Sequence, residues 1–313
     1  MRIAVVGAGG VGGYFGGRLA QAGHEVHFIA RGAHLAAIRE RGLRVESIKG
    51  DFAVHPALAT DQAASVGTVD TVIVSVKTWQ LGTAAKAAQA LVGPETVVLP
   101  LLNGVDASNE LADALGPGHV LGGVCRITAE IAAPGLIRHS AVEPSIVLGE
   151  RDNEVTARVQ DLVAALTRAG IRTVIAPDID AAIWEKFMLI VTWSGIGAVT
   201  RAPIGVWRAL PGLRTMAESG LREVVEVARA RHVSLADDRA TATLRALDGV
   251  PPDSMASMQR DILNGRPSEL EAQNGAVVRL GRATGVATPT HLFIYHSLVP
   301  QENAARNLSS RAT

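Results

Sequence analysis

Cysteine is almost missing: the 313 residues contain one, Cys125. That excludes an intrachain disulfide and any zinc site assembled from cysteines, and it fits a reducing compartment. An excess of either charge is missing too, with 30 Lys and Arg against 30 Asp and Glu. A protein drawn to nucleic acid by phosphate attraction carries a basic excess or stripe, so no nucleic-acid partner is expected. The longest apolar run, Phe187–Val199, spans 13 residues and includes Thr192 and Ser194. A membrane helix needs ~20. The few residues before Gly7 leave no room for a signal peptide, so a soluble, cytoplasmic protein with no membrane partner is expected. The nine histidines form no H-x-x-x-H pair and no acid-flanked cluster, so no metal is expected. Internal repeats and low-complexity segments are also absent.

Apolar residues, 48% of the chain, are ample for large cores, and the length suggests two domains at ~150 residues each. The first part alternates short β-branched runs with helical stretches, the rhythm of a parallel sheet with crossover helices. Arg2–Val6, Glu25–Ala30, Asp70–Val76 and Thr96–Leu102 read as its strands, and Gly10–Ala22, Ala33–Arg41, Thr78–Leu91 and Asp106–Leu115 as helices between them. Val120–Thr128, Leu136–Ser140 and Ser145–Gly149 lack intervening helices and read as antiparallel additions at one sheet edge. A helix at Val155–Ala169 and a strand at Arg172–Ala176 follow. After Pro177 only helices are expected, at Ile179–Val199, Leu213–Arg231, Asp238–Leu247, Ser254–Leu263, Ser268–Thr284 and Pro289–Leu298, with a frayed polar tail from Gln301. The fold class is an α/β Rossmann domain with a doubly wound, mainly parallel sheet over residues 1–177, then an all-α domain over 178–313. Cys125 and the tryptophans, Trp79, Trp184, Trp193 and Trp207, read as packing residues, and His139 and His291 as loop or cap residues.

Gly7-Ala8-Gly9-Gly10-Val11-Gly12 matches G-x-G-x-x-G, follows an expected strand and opens an expected helix, as a dinucleotide fingerprint requires. Gly7 permits the turn, Gly9 lets a pyrophosphate approach the backbone, and Gly12 allows close helix–strand packing. Cofactor choice is readable one strand later. An NAD enzyme puts an acid at the end of the second strand, ~20 residues on. Here that strand ends Phe28-Ile29-Ala30-Arg31. A carboxylate would repel a 2′-phosphate, whereas Arg31 can hold it, so NADP(H) is expected. Lys77 and Asn103 each end a strand of the sheet, the address where doubly wound sheets bind ligands. Both are expected near the nicotinamide.

Reduction of a carbonyl needs a proton donor at oxygen. Lys186 lies in the apolar helix that opens the second domain, and Lys186, Ile190 and Ser194 recur every four residues on one face. A snorkelling lysine is the plainer reading of that position taken alone.

The run from Gly7 to Ala22, the segments Ala30–Leu35, Val76–Gln80 and Leu102–Gly104, then Trp184–Phe187, Pro203–Gly205, Ser257–Asp261, Glu269 and Asn274–Gly275 together resemble the ketopantoate reductase (2-dehydropantoate 2-reductase) family. The likeness covers nearly the whole chain. It implies a Rossmann domain joined to a helical one, and reduction of ketopantoate to (R)-pantoate by NADPH between them, as in pantothenate biosynthesis. Carried over, it implies Lys186 as proton donor, Asn103 on nicotinamide and substrate, Ser257 on the substrate carboxylate, and Glu269 near the nicotinamide end. It also implies substrate contacts at Ser194 and Ser254. The family's usual asparagines are replaced by Ile190, Ser194, Ile204 and Ser254, and a more apolar 2-oxo acid or ketone suits that set. An oxidation of the β-hydroxyacid dehydrogenase type, and a non-catalytic NADPH sensor, are the competing readings. A homodimer is compatible with the composition.

Overall fold

The computed structural model describes residues 1–311. They form two compact units, Met1–Leu102 with Asp106–Ile179, and Asn103–Val105 with the residues from Asp180 onward. In chain order the first unit runs β1 (Arg2–Val6), α1 (Gly10–Gln21), β2 (Glu25–Ile29), α2 (Gly32–Arg41), β3 (Leu43–Ser47), β4 (Phe52–Val54), β5 (Leu58–Thr60) and β6 (Thr71–Val74). It continues with α3 (Leu81–Ala88), β7 (Val97–Pro100), α4 (Ala107–Leu115), β8 (Gly122–Ala133), β9 (Leu136–Gly149), α5 (Ala157–Arg168) and β10 (Arg172–Ile175).

Five strands make a parallel sheet in the order β5-β2-β1-β6-β7. Strand side chains alternate between faces, and here both faces are covered. Ile3 and Val5 pack with Phe15, Leu19 and Phe28, while Ala4 and Val6 pack with Val72, Val74, Leu81 and Leu111 on the other side. That is why β1 and β6 read as unbroken apolar runs. β1 has β2 on one side and β6 on the other, so the winding reverses there. In doubly wound sheets such a reversal, at the carboxyl ends of the strands, is the address at which ligands bind.

The expected edge additions instead form a second sheet, ordered β10-β9-β3-β4, with β8 antiparallel to β9. Two sequence runs proved to be the single strand β9, carried past Pro144 with Val142 at φ 67° and with register shifts against β8. β3 went unread because only alternate residues, Leu43 and Val45, are fully buried. Cys125 is buried in β8, as expected, with its Sγ 3.8 Å from the Leu101 carbonyl. His139 is not a loop residue. It lies buried in β9, its Nδ1 2.8 Å from the Ser47 hydroxyl.

The second unit is helical: α6 (Ile179–Thr200), α7 (Ile204–Arg208), α8 (Pro211–Ala230), α9 (Arg239–Asp248), α10 (Ser257–Leu263), α11 (Ala276–Thr284) and α12 (Pro289–Arg311). α6 is long and apolar enough to cross a membrane by length and composition. It is instead the core helix, with Phe187, Met188, Val191 and Ile196 packed against Val224, Met258 and Ile294. Trp184 and Trp207 are buried as expected, whereas Trp79 is 39% exposed and stacks under the Lys77 ammonium at 5.7 Å. The chain after Gln301 is not frayed through the described residues, because α12 continues to Arg311 with Pro300 inside it. Buried Glu302 ties that stretch down by accepting the Ser268 backbone N–H. Residues 312 and 313 lie outside the described residues.

Candidate active site

The glycine loop meets the physical demands of each of its positions. Gly7 has φ +100°, a conformation L side chains rarely adopt. A Cβ on Gly12 would stand 2.2 Å from the Gly7 carbonyl and the Ser75 hydroxyl, so only glycine lets α1 approach the sheet this closely. A Cβ on Gly9 would meet nothing within 4 Å. The contrast is informative. Gly12 is crowded by the protein, whereas Gly9 faces open space that a phosphate can enter. Gly9 is also the N-cap of α1, where no side chain caps the helix and the first turn holds no acid. The leading N–H groups of α1, with the positive end of the helix dipole, therefore remain available to an anion. The loop fits a dinucleotide pyrophosphate.

His34 holds this loop in shape and was not singled out from the sequence. Its Nε2 lies 2.8 Å from the Ala8 carbonyl, and its Nδ1 accepts the Gly135 N–H at 3.0 Å. Those partners require the neutral ring with the proton on Nε2. Burial pushes its pKa below the usual 6.5, outweighing the Ala8 hydrogen bond, which acts the other way. Only its place in the Ala30–Leu35 segment signalled it. Arg31 is exposed at the N-cap of α2, directly after β2, and no acid stands at that strand end. Lys77 follows β6, with its carbonyl accepting the Gln80 N–H.

In the helical unit, Trp184 and Phe187 are buried and meet edge to face at 5.6 Å. They fix the rotation of α6 and leave Lys186 half-buried, with no hydrogen-bond or ion-pair partner among the described residues. Its neighbour Glu185 is already engaged by Arg239 at 2.8 Å. One turn on, Ile190 is half-buried; another turn on, Ser194 is 1% exposed. Ser194 Oγ lies 2.5 Å from the Ile190 carbonyl and 2.6 Å from Gln273 Oε1. A hydroxyl has one proton to give, so Ser194 has none left for a substrate.

Asn103 and Glu269, 166 residues apart, come together: Asn103 Nδ2 donates to Glu269 Oε2 at 2.8 Å. The pairing fixes the amide orientation, and Glu269 is 4% exposed. Glu269 precedes a π-helical turn at Glu271–Gly275, where a continuous α-helix was expected from Ser268. The wider turn aims both Gln273 and Asn274 at α6: Gln273 meets Ser194, and Asn274 Nδ2 donates to the Val191 carbonyl at 3.3 Å. Such turns cluster at functional sites. Gln273 escaped the sequence reading because the extra residue breaks the 3.6-residue phase on which periodicity depends.

Ser257 opens α10 instead of lying within it. The helix begins late because Ser254, after Pro251-Pro252, closes a turn onto Pro251 and gives its carbonyl to the Ile204 N–H at 3.1 Å. Ser257 and Ser254 are both half-buried. Ile204 is fully buried in the helical core, so its apolar character serves packing and not a substrate wall.

Known proteins resemble this chain over nearly its whole length. The family model "Ketopantoate reductase PanE/ApbA" matches residues 3–153, and its C-terminal counterpart matches residues 178–302. A 2-dehydropantoate 2-reductase of Mesorhizobium japonicum is 32% identical, over 93% of this chain and 94% of its own. A PanE/ApbA family ketopantoate reductase from Ralstonia eutropha superposes with a TM-score of 0.90 at 31% identity, covering 98% of this chain and 100% of its own. D-mandelate dehydrogenase, solved with NADH and anilino(oxo)acetate, gives a TM-score of 0.89 at 25% identity, covering 98% and 99%.

Proposed function

The chain belongs to the ketopantoate reductase family, and from that premise we propose that it reduces a 2-oxo acid to the 2-hydroxy acid with NADPH, Lys186 giving the proton. The family's chemistry is that of a nicotinamide oxidoreductase. The observation that carries the reading is the Asn103–Glu269 hydrogen bond at 2.8 Å, which joins two residues of the family pattern from distant parts of the chain. The nicotinamide supplies hydride to C2 of the acid when bound. The chain's own residues do the rest. The leading N–H groups of α1 and the open face of Gly9 take the pyrophosphate, and Arg31 takes the 2′-phosphate, with Lys77 also on the cofactor. Asn103, its amide held by Glu269, orients the carboxamide or the substrate, and Ser257 hydrogen-bonds the substrate carboxylate. Lys186 donates to the C2 oxygen as negative charge develops there. A neutral amine remains, to be reprotonated from solvent.

Among 2-oxo acids, the face of α6 favours an apolar side chain. Ile190 stands between Lys186 and Ser194, and the Ser194 proton is already committed. With the Lys186 proton assigned to the C2 oxygen, this face keeps no donor for a further substrate hydroxyl, and a hydroxyl buried without a partner is costly. The relative solved with NADH and anilino(oxo)acetate supports this direction, since that acid carries an aromatic group. Ketopantoate is the second reading, supported by the 2-dehydropantoate 2-reductase at 32% identity.

The test is NADPH and NADH oxidation against ketopantoate, 2-oxoisovalerate and phenylglyoxylate. A kcat/KM for an apolar acid at least tenfold above that for ketopantoate is expected. The reverse order assigns ketopantoate, and NADPH binding without turnover on any acid favours a sensor.

A further inference from the structure

Glu269 is held from behind by a buried polar clamp. Glu302, on α12, is 7% exposed, and Ser268 is fully buried. The Ser268 backbone N–H lies 3.1 and 3.0 Å from the two Glu302 oxygens, and its hydroxyl donates to Oε2 at 2.5 Å. Arg306, one turn further along α12, bonds Glu302 Oε1 at 2.7 Å and reaches the Ser268 carbonyl at 3.1 Å. The Ser268 hydroxyl also accepts the Leu270 N–H at 3.2 Å. All three polar groups of Ser268 are thus engaged, and the residue it precedes is the one whose carboxylate accepts from Asn103.

A buried carboxylate is costly unless paired and hydrogen-bonded. Glu302 satisfies that condition by spending its oxygens on a single residue and on Arg306. For packing alone, an apolar residue on α12 would serve as well. Fixing a backbone at one point is what this arrangement adds. The Glu269 carbonyl in turn accepts the Gln273 N–H at 2.9 Å, so the same anchor sets the start of the π-helical turn.

We propose that Glu302 is a positioning residue for the reduction: through Ser268 it fixes the backbone that aims the Glu269 carboxylate at Asn103. The inference rests on the role proposed for Glu269. Loss of the clamp lets that carboxylate drift, and drift of ~1 Å costs up to ~10²-fold in rate.

The test is a double-mutant cycle on the full chain with NADPH and 2-oxoisovalerate, repeated with ketopantoate. E302Q keeps size and one acceptor oxygen but places an amide N–H₂ against the Ser268 donors. It is expected to lower kcat/KM by about tenfold while the NADPH Kd, read by fluorescence without substrate, stays within about twofold. The double variant E302Q/E269Q is expected to be no worse than E269Q alone, because both act at one carboxylate. S268A, which strands no buried charge, is the second variant should E302Q fail to fold, with a smaller loss and the same non-additivity. Unchanged kcat/KM in these variants, or losses that add to that of E269Q, overturns the inference while the role of Glu269 stands. E269Q at the wild-type rate, or no turnover of either acid by the wild type, overturns both.

Discussion

The two units handle their expected ligands with different chemical resources. In the first, the candidate binding surface is backbone: open space at Gly9, leading N–H groups of an uncapped α1, and an Ala8 carbonyl held by His34. In the second it is side chains from separate segments, Lys186, Asn103, Glu269 and Ser257, of which Asn103 and Glu269 are joined by a hydrogen bond. Backbone recognition constrains a short contiguous stretch, because only glycine permits it. Side-chain recognition spreads its constraints across the chain, where any single member reads as ordinary. The proposed pyrophosphate site therefore depends on geometry that a side chain would block, while the proposed substrate site is open to change one residue at a time. Ile190 and Ser194, where asparagines are usual in the family, are changes of that kind.

Lys186→Ala probes the side-chain half and carries the largest expected effect. General acid catalysis contributes ~10²–10⁴-fold, so kcat should fall by that range while NADPH affinity, measured by fluorescence titration, is unchanged. A near-normal kcat removes Lys186 from its role. The glycines probe the backbone half. Gly9→Ala should leave the thermal midpoint unaltered, since its φ of −75° and open surroundings admit a Cβ, yet raise the NADPH Kd by at least about tenfold. Gly12→Ala should do the opposite first, costing ~1–3 kcal/mol of stability from overpacking against the Gly7 carbonyl. Equal behaviour of the two variants in calorimetry and titration would break the distinction between a face for ligand and a face for packing.

Arg31→Ala is expected to be smaller and selective. A hydrogen bond to a charged group contributes ~1.5–3 kcal/mol, so the NADPH Kd should rise ~10–100-fold with that for NADH unmoved. A parallel loss for both cofactors would return Arg31 to the status of a surface charge.

This asymmetry also sets how much was legible. The parallel sheet announced itself because strands buried on both faces must be continuously apolar, and the glycine loop because its spacing follows from steric need. β3 and β4 did not, since half-buried short strands show no such run. β9 reads as two strands because Pro144 resembles a turn in sequence, and the positive φ of Val142 that carries the chain through is not legible there. Lys186 carried a weak signal in its apolar surroundings, whereas Glu269 and Ser257 came only from resemblance. Gln273 carried none, because a π turn shifts the phase that periodicity reads. The sequence pattern of α12 ends at Leu298 for a related reason: Pro300 looks like a stop, and the Glu302 contacts that hold the helix beyond it are long-range.

The smallest effect compares the units through one buried imidazole each. His34 is held between Ala8 and Gly135, and His291 is fully buried with Nδ1 2.9 Å from Asn274 Nδ2 and Nε2 3.1 Å from the Gly220 carbonyl. It is a core residue of α12 rather than a simple cap. Burial lowers the pKa of both below the usual 6.5, against opposing contributions from Ala8 at His34 and from Glu223 and Gly220 at His291. Below pH 6.5 the unfolded chain therefore binds protons that the native state refuses, so stability rises with pH in that window and is lost on acidification. The thermal midpoint should be level above about pH 7 and fall below 6.5, with a shallower fall in H34Q and in H291Q, since each removes one such proton. Cofactor affinity should separate the pair. Protonating His34 puts a second N–H against that of Gly135 and loosens the loop, so the NADH Kd should climb on acidification in wild type and H291Q but much less in H34Q. NADH is the right probe because it lacks a 2′-phosphate that titrates nearby. An identical pH profile in all three proteins would detach His34 from the glycine loop.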